Sequence, residues 1–428
     1  MAGRRQPGNR SPKQNKVGKL KGPLVQSKTK FLEFSADRPF EYHAGNASPA
    51  TLQKGKRREH YLTTSSQFAR GALMRNPQVF TIHNQARDIP CLDPKAWPET
   101  DFGKQRVLFV LPSQALGNNV CIWFFLQAFL ERFGPRAIGV CCTESSSDFF
   151  RLDKSFKVHG LWISRKQLDL WDYVVDLGQL ESRQDIDLWP IDMEVDLLNA
   201  FELPPSQRFD GAMRSGERPA RLKIGLFPMA SSPLRTLPPE TVEALATGLK
   251  DQADVTLISN SFQSQGRLLL EGLNKSLLAD INVIESFPSI GDLLFAIKNF
   301  DYVVMADSGP AHMTKFFGTP GMAVYTSAPA DVLQGRFTNM AAWTVPYKGA
   351  FCATPCGLAK VRQNRAGDVG CMGSLNCSLE DLPSTPTGQH PGLVRKFFDE
   401  PVPCVERLAQ MSDDLVAAVK ADIRHRLD

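Results

Sequence analysis

Three groups of residues in this chain have types and spacings that can do chemistry. The first is Asp307-Ser308-Gly309-Pro310-Ala311-His312, which follows an apolar run from Tyr302 to Ala306. A carboxylate, a hydroxyl, a glycine that lets a ligand approach the backbone and a proline suited to a first helical turn come in succession there. Such a turn starts a helix at the carboxyl end of a strand, where unpaired N–H groups and the helix dipole favour a phosphate. In the plainer alternative Asp307 and Ser308 only cap a structural helix and His312 is a packed or surface imidazole. The second group is Ser231, Ser232 and Arg235, on the loop after another apolar run, Leu222 to Pro228. Hydroxyl donors and a guanidinium beside a helix start suit a diphosphate whose charge grows as a bond to it breaks. The third group is Cys352, Cys356, Cys371 and Cys377, four thiols within 26 residues. They have the donor set for a structural Zn²⁺ or iron, and four free thiols is the competing reading. Cys91, Cys121, Cys141, Cys142 and Cys404 are scattered and read as reduced thiols of a cytoplasmic protein.

The elements that must position these groups alternate cleanly in the second half. Strands are expected at Leu222 to Pro228, Val255 to Ser259, Ile281 to Ile284, Tyr302 to Ala306 and Met322 to Tyr325. Helices are expected near Pro239 to Lys250, Gln265 to Leu273 and Ile290 to Lys298, with another running from Ser308 to about Phe317. This is the pattern of a doubly wound parallel sheet, in which the loops carrying Arg235 and Asp307 can face one crevice. Earlier, Arg106 to Pro112 is a continuous apolar strand, followed by a helix to about Phe133 and strands at Ala137 to Cys142 and Tyr173 to Leu177. That makes a second, smaller α/β half. Pro204 to Ala220, polar and punctuated by Pro and Gly, reads as the linker between the two.

Ahead of them, residues 31–104 form an extension that packs on the body. Phe31 to Phe34 and Gln78 to Ile82 are candidate short strands and Ser66 to Met74 a candidate helix, between interrupting prolines. Residues 1–30 hold nine basic residues and no acid, which leaves 41 basic against 45 acidic residues in the rest of the 428-residue chain. The tail is expected to be disordered; it can meet an anionic partner by charge alone, or simply be solvated. The longest uninterrupted apolar run, Val120 to Leu126, is far short of the ~20 residues of a spanning helix. No apolar leader follows Met1, so the expected location is cytoplasmic, with a peripheral position at the inner membrane allowed.

Ala306-Asp307-Ser308-Gly309-Pro310-Ala311-His312, followed by Gly318-Thr319-Pro320-Gly321 and a strand, resembles the D-[ST]-G-x-x-H signature of family-nine glycosyltransferases, the heptosyltransferase family. Leu222 to Val242 is similar to that family's strand, small-residue loop and basic residue before a Pro-initiated helix. The resemblance implies a GT-B fold, with two Rossmann-like domains facing a cleft. Residues 105–205 would be the acceptor side, residues 206–385 the donor side with the Cys cluster, and residues 386–428 a closing segment whose helix packs back on the first domain. It implies inverting transfer of a heptose-like sugar from a nucleotide-activated, ADP-heptose-like donor to a glycan, lipopolysaccharide or protein acceptor, with no cofactor required for transfer. Ser231, Ser232, Arg235, Asp307, Ser308, Gly309 and His312 would bind the donor, with Arg235 standing where the family usually has Lys. Cys-x-x-x-C and Cys-Met pieces also resemble carboxyl-terminal cysteines of family members, and related autotransporter heptosyltransferases hold iron in such a finger.

One departure bears on the chemistry. The family usually carries Leu-Gly-Asp at its first turn, where the Asp is the presumed base, and this chain has Leu116-Gly117-Asn118. An amide cannot take the acceptor's proton. Asn118 can orient an acceptor, and the carboxylates within reach of the cleft would be Asp176, Glu181 and Glu144, each of which reads equally as a solvated loop acid. A catalytically inactive binding or assembly subunit on the same fold is therefore the alternative function, which a closed cleft would favour.

Overall fold

The computed structural model describes residues 27–43, 52–63, 73, 76–91, 101–111, 115–142, 144–160, 162–177, 192–207, 219–260, 264–349, 352–357, 395 and 398–427. The helix expected over Ser66 to Met74, apart from Leu73, lies outside them, as do residues 1–26, Glu181, Cys371 and Cys377.

The extension is a sheet of its own. Its strands are β1 (Ser27–Ala36), β2 (Phe40–His43), β3 (Leu52–Gly55), β4 (His60–Thr63) and β5 (Phe80–Cys91), with β2 and β3 paired separately. Two of these strands are longer than expected. β1 begins at Ser27, inside the stretch expected to be disordered, because its backbone pairs with β5 from Ser27↔Cys91 to Ala36↔Phe80. Pro90 does not break β5, which lies at the edge of the order β5-β1-β4-β9, where a missing N–H costs no ladder bond. β9 (Trp162–Ser164) belongs to the next unit in sequence but pairs with β4, tying the extension to the body.

The first parallel sheet has the order β10-β6-β7-β8, from β6 (Arg106–Val110), β7 (Ala137–Cys141), β8 (Phe156–His159) and β10 (Tyr173–Asp176). One face is covered by α1 (Leu116–Phe133), α2 (Glu144–Arg151) and α4 (Met193–Ala200). On the other, Phe31 and Leu62 of the extension pack with Leu108, Val110 and Val174, and α3 (Arg165–Leu168) adds Leu168. The antiparallel sheet thus stands where a doubly wound unit ordinarily places helices.

The second parallel sheet runs β13-β12-β11-β14-β15-β16. Its strands are β11 (Leu222–Phe227), β12 (Ala253–Ile258), β13 (Asn282–Ile284), β14 (Tyr302–Ala306), β15 (Gly321–Tyr325) and β16 (Met340–Thr344), and β16 is one more than expected. Its helices are α5 (Pro239–Leu249), α6 (Ser264–Gly272), α7 (Lys275–Asp280), α8 (Ile290–Asn299), α9 (Gly309–Met313), α10 (Ala330–Gln334), α11 (Pro403–Gln410) and α12 (Ser412–Leu427). Along β14 the side chains alternate as the pleat requires: Val303 and Met305 join the core shared with α1, and Tyr302, Val304 and Ala306 join the core on the opposite face.

The closing helix was expected on the first unit, and it lies on the second. It is also two helices, α11 and α12, broken at Met411. Leu408, Leu415, Val419 and Ile423 are buried against the outer face of the second sheet, Ser412 Oγ lies 2.9 Å from Thr241 Oγ1, and the Tyr302 hydroxyl donates to Asp422 at 2.7 Å. The reason is the apolar outer face of β11, β14 and β15, which would otherwise meet water.

The two units share one core. α1 is buried on nearly every side from Asn119 to Phe129, as a helix apolar all round must be. Phe316, just past α9, sits 4.9 Å from Trp123 and 5.3 Å from Phe124 between ring centroids, and Phe337 lies 4.8 Å from Phe124. Arg336 pairs with Glu194 of α4 at 3.0 Å, and Asp148 of α2 accepts from the Gly291 N–H of α8 at 3.1 Å. The architecture is GT-B-like, with two Rossmann-like units whose strand carboxyl ends face one another.

Candidate active site where two switch points meet

An open parallel sheet gathers ligands where its strand order reverses, outside the strands' carboxyl ends. In the second sheet that point lies between β11 and β14, because β12 and β13 extend one way from β11 while β14, β15 and β16 extend the other. The loop after β11 carries Ser231 and Arg235, and the turn after β14 carries Asp307. These three side chains come together. Arg235 Nη1 lies 3.1 Å from Asp307 Oδ2 and donates to the Asp307 carbonyl at 3.0 Å, and Nη2 donates to Ser231 Oγ at 2.8 Å. Asp307 is only 3% exposed, and its burial raises its carboxyl above the ordinary range while Arg235 opposes the rise. The carboxylate and the carbonyl of Asp307 together fix the guanidinium at the mouth of the switch point.

Two expected donor-site hydroxyls do other work. Ser232 is buried and accepts from the Leu234 N–H as the cap of a 3₁₀ turn, Pro233–Arg235. Ser308 stands at the N-cap position of α9 but makes no side-chain cap, because its hydroxyl donates back to the Ala306 carbonyl at 3.1 Å. Asp307, turned toward Arg235, does not cap either, so the first turn of α9 has its N–H groups uncovered by these side chains. Gly309 and His312 form the inner side of that turn.

The first sheet reverses between β6 and β10. The chain leaving β6 enters α1 at Leu116-Gly117-Asn118, and β10 ends at Asp176, with Asn118 and Asp176 both half-buried. The β6 and β10 ends are held side by side by the Leu177 N–H, which donates to the Val110 carbonyl at 3.0 Å. Asp176 thus stands at the carboxyl end of β10 beside β6, the strand that leads toward Asn118. Glu144 opens α2 after β7, one strand further along. Asn119 donates to Ser146 Oγ of α2 at 2.6 Å.

The two switch points touch. A Cβ on Gly117 would meet His312 Cδ2 at 2.9 Å, and one on Gly309 would meet Leu116 Cβ at 3.0 Å. Glycine is needed at 117 because the helix backbone lies directly against the imidazole. Burial, reinforced by Lys315 and Arg235, holds His312 well below the ordinary histidine range, and its Nδ1 is sealed from solvent without a hydrogen-bond partner. Beside it a void of about 10 Å³ is lined by Asp307, His312, Lys315 and Tyr325. That void has room for no more than a water and lies within the second unit, behind His312.

Lys315 was not among the residues expected at the site. It is 8% exposed, donates to the Leu333 carbonyl at 2.8 Å and lies 4.8 Å from the centroid of the Phe337 ring. The one signal for it in the sequence is its position three residues after His312, on the same side of the helical turn.

Of the cysteine cluster, Cys352 and Cys356 are described. They sit on a tight turn fixed by Gly349 N–H donating to the Cys352 carbonyl at 2.8 Å and by Gly357 N–H donating to the Ser327 carbonyl at 2.7 Å. Burial and the neighbouring Cys356 both raise the Cys352 thiol. The turn brings two thiols near one another, which fits half of a four-thiol site; among the described residues no group of three or more metal-ligating side chains occurs. No helix among the described residues is long and apolar enough to cross a membrane.

No family model matches this sequence, and no curated protein matches it. Among solved structures the chain is similar to ADP-heptose lipopolysaccharide heptosyltransferase II of E. coli, at 14% identity, covering 55% of this chain and 89% of that one with a TM-score of 0.42. It is similar to a family-nine glycosyl transferase from Veillonella parvula at 11% identity, covering 57% and 87%, with a TM-score of 0.43. It is also similar to TibC, a bacterial iron-containing dodecameric glycosyltransferase from enterotoxigenic E. coli, at 10% identity, covering 94% and 93%, with a TM-score of 0.48. The likeness is one of fold. At these values it assigns no role to any residue.

Proposed function

We propose that this chain is a glycosyltransferase that moves a sugar from a nucleotide-activated donor to a glycan, lipid-linked or protein acceptor, with inversion. The observation that carries the reading is the meeting of the two switch points, one basic and one bearing a carboxylate, as a two-substrate transfer requires. On the donor side Arg235, Ser231 and the first turn of α9 would hold the diphosphate and take up its growing charge. Asp307 positions Arg235. His312, kept neutral, can donate a hydrogen bond to a diphosphate oxygen without adding charge. On the acceptor side Asp176 is the described carboxylate at the strand end, and we assign it the acceptor's proton, with Asn118 orienting the hydroxyl. An ADP-heptose-like donor rests on the sequence resemblance. Transfer needs no metal in this scheme, and Cys352 and Cys356 belong to a separate structural site.

The amide at 118 favours a second reading, a binding or assembly subunit without turnover. Calorimetry with a series of nucleotide sugars tests the first reading. Saturable binding of at least one donor is expected, and failure of the whole series would overturn the glycosyltransferase reading.

A further inference from the structure

A second concave site lies on the opposite face of the first sheet from α1. It has a volume of about 660 Å³ and is lined by Lys56, Arg57, Arg58, Glu59, His60, Arg165, Lys166 and Asp169. Five of these side chains are permanent cations and two are carboxylates. One wall is the turn between β3 and β4, and the other is α3 with its flanks.

The backbone that carries the cations is held in place, and most of the cations are not neutralised. Glu33, 2% exposed beneath the site, takes Arg165 Nη1 at 3.6 Å and His60 Nδ1 at 2.9 Å, which fixes both walls to β1. The Tyr61 hydroxyl accepts from the Lys56 N–H at 2.8 Å and donates to Glu59 Oε2 at 2.9 Å, so the wall's own carboxylate is turned onto the tyrosine. Arg58 has a φ of 59°, and its N–H donates to the Ala36 carbonyl at 2.8 Å, which pins the turn in a conformation that costs a non-glycine residue energy. Among the described residues Lys56, Arg57, Arg58 and Lys166 have no ion-pair partner. With Glu59 turned onto Tyr61, four unpaired cations and the single carboxylate of Asp169 leave the concavity with an excess of positive charge that a bound anion would relieve.

We propose that this concavity binds a small ligand carrying several linked phosphates. Three guanidinium groups supply the planar forks that match phosphate oxygens, and two ammonium groups supply point charge. The volume suits a small oligophosphate. The site is separate from the transfer crevice, because α3 leads into the amino end of β10 while the crevice lies at the carboxyl ends. It does not depend on the function proposed above.

The test is calorimetric titration of the full chain with inorganic tripolyphosphate, orthophosphate and sulfate, repeated on the triple variant Lys56→Ala, Arg57→Ala, Lys166→Ala. These three side chains are exposed, so the variant should match the parent in circular dichroism and melting. Tripolyphosphate is expected to bind saturably at one equivalent, at least tenfold tighter than orthophosphate or sulfate, and to weaken at least 30-fold in the variant. Affinity retained in the folded variant would place the binding elsewhere, the basic amino-terminal stretch included, and would overturn the proposal. So would the absence of saturable binding by the parent, or equal affinity for all three anions.

Discussion

At the scale of single residues, the donor side rests on Arg235 and the neutral state of His312. Arg235→Ala should weaken nucleotide-sugar binding by about 1.5–3 kcal/mol, the range of a charge-assisted contact. It also leaves Asp307 buried without its partner, so the same measurement belongs on Arg235→Ala/Asp307→Asn, in which no stranded charge complicates the fold. Unchanged affinity in that folded double variant would remove the diphosphate from this crevice. His312 makes a prediction of the other kind. Its folded-state pKa is depressed, so the native state binds fewer protons than the unfolded chain once the pH falls below the ordinary histidine value. The stability it contributes is complete above about pH 6.5 and declines as the pH falls further, with a limiting slope of about 1.4 kcal/mol per pH unit for one proton. Urea midpoints between pH 7.5 and 5 should therefore fall less steeply in His312→Gln than in the parent. Parallel curves would mean that the imidazole is protonated or exposed in the native state. Asp307 pulls oppositely, since its raised pKa favours the native state as pH falls, and because the parent and His312→Gln share it, the difference between their curves reports the imidazole.

At the scale of elements, α1 is the helix on which both units pack. Phe124, fully buried between Phe316 and Phe337, should cost about 3–5 kcal/mol as Phe124→Ala, in a single unfolding transition if the two units share one core. Two separated transitions in the parent would show instead that the units melt independently. The cysteine turn carries a prediction of its own. Protein made without an affinity tag should hold close to one equivalent of zinc or iron, and Cys352→Ser/Cys356→Ser should lose it. A metal-free parent would leave four thiols and no site. Most of the second unit is legible in the sequence, because a sheet covered on both faces writes its strands as apolar runs and starts its helices with Pro and Ser. β14 has its expected ends, and the convergence of Arg235, Ser231 and Asp307 on one crevice agrees with the alternation of strands and helices. β16 is missing from the expected strands although Met340 to Trp343 is an apolar run between Asn339 and Pro346; as an edge strand it is half-exposed, and its alanines carry little strand preference. The extension looks irregular in sequence because its described prolines, Pro39, Pro77 and Pro90, fall in connections and at an edge strand, where they cost little. Ser232 and Ser308 suit a ligand by type, whereas their partners are backbone groups that only the local fold supplies. The closing helices lie on the unexpected unit because their apolar stripe, Leu415, Val419 and Ile423, says that they cover a face and not which one.

For the whole molecule, the question is whether two crevices that meet so closely perform a transfer. The contact of Gly117 with His312 sets the donor turn directly against the start of α1, so the donor and acceptor sides meet at that point. The amide at Asn118 then makes the source of the base the deciding point. If Asp176 takes the acceptor's proton, Asp176→Asn should cost on the order of 10²-fold or more in turnover, while Asn118→Asp changes it little because the proton already has a destination. Glu144→Gln and Glu181→Gln serve as comparators, and a large loss in either with none in Asp176→Asn would move the base to that residue. If no base operates, the parent should bind donor and transfer nothing, and Asn118→Asp would recover at most a trace of activity. Donor hydrolysis and transfer measured on the parent and these four variants separate the outcomes. Turnover is expected, because Arg235, Asp307 and Ser231 are assembled as one hydrogen-bonded unit at a switch point, and the desolvation of a buried ion pair gives no stability that apolar packing would not give better. Firm donor binding with no transfer to a broad panel of acceptors would leave the assembly-subunit reading standing and the enzymatic one overturned.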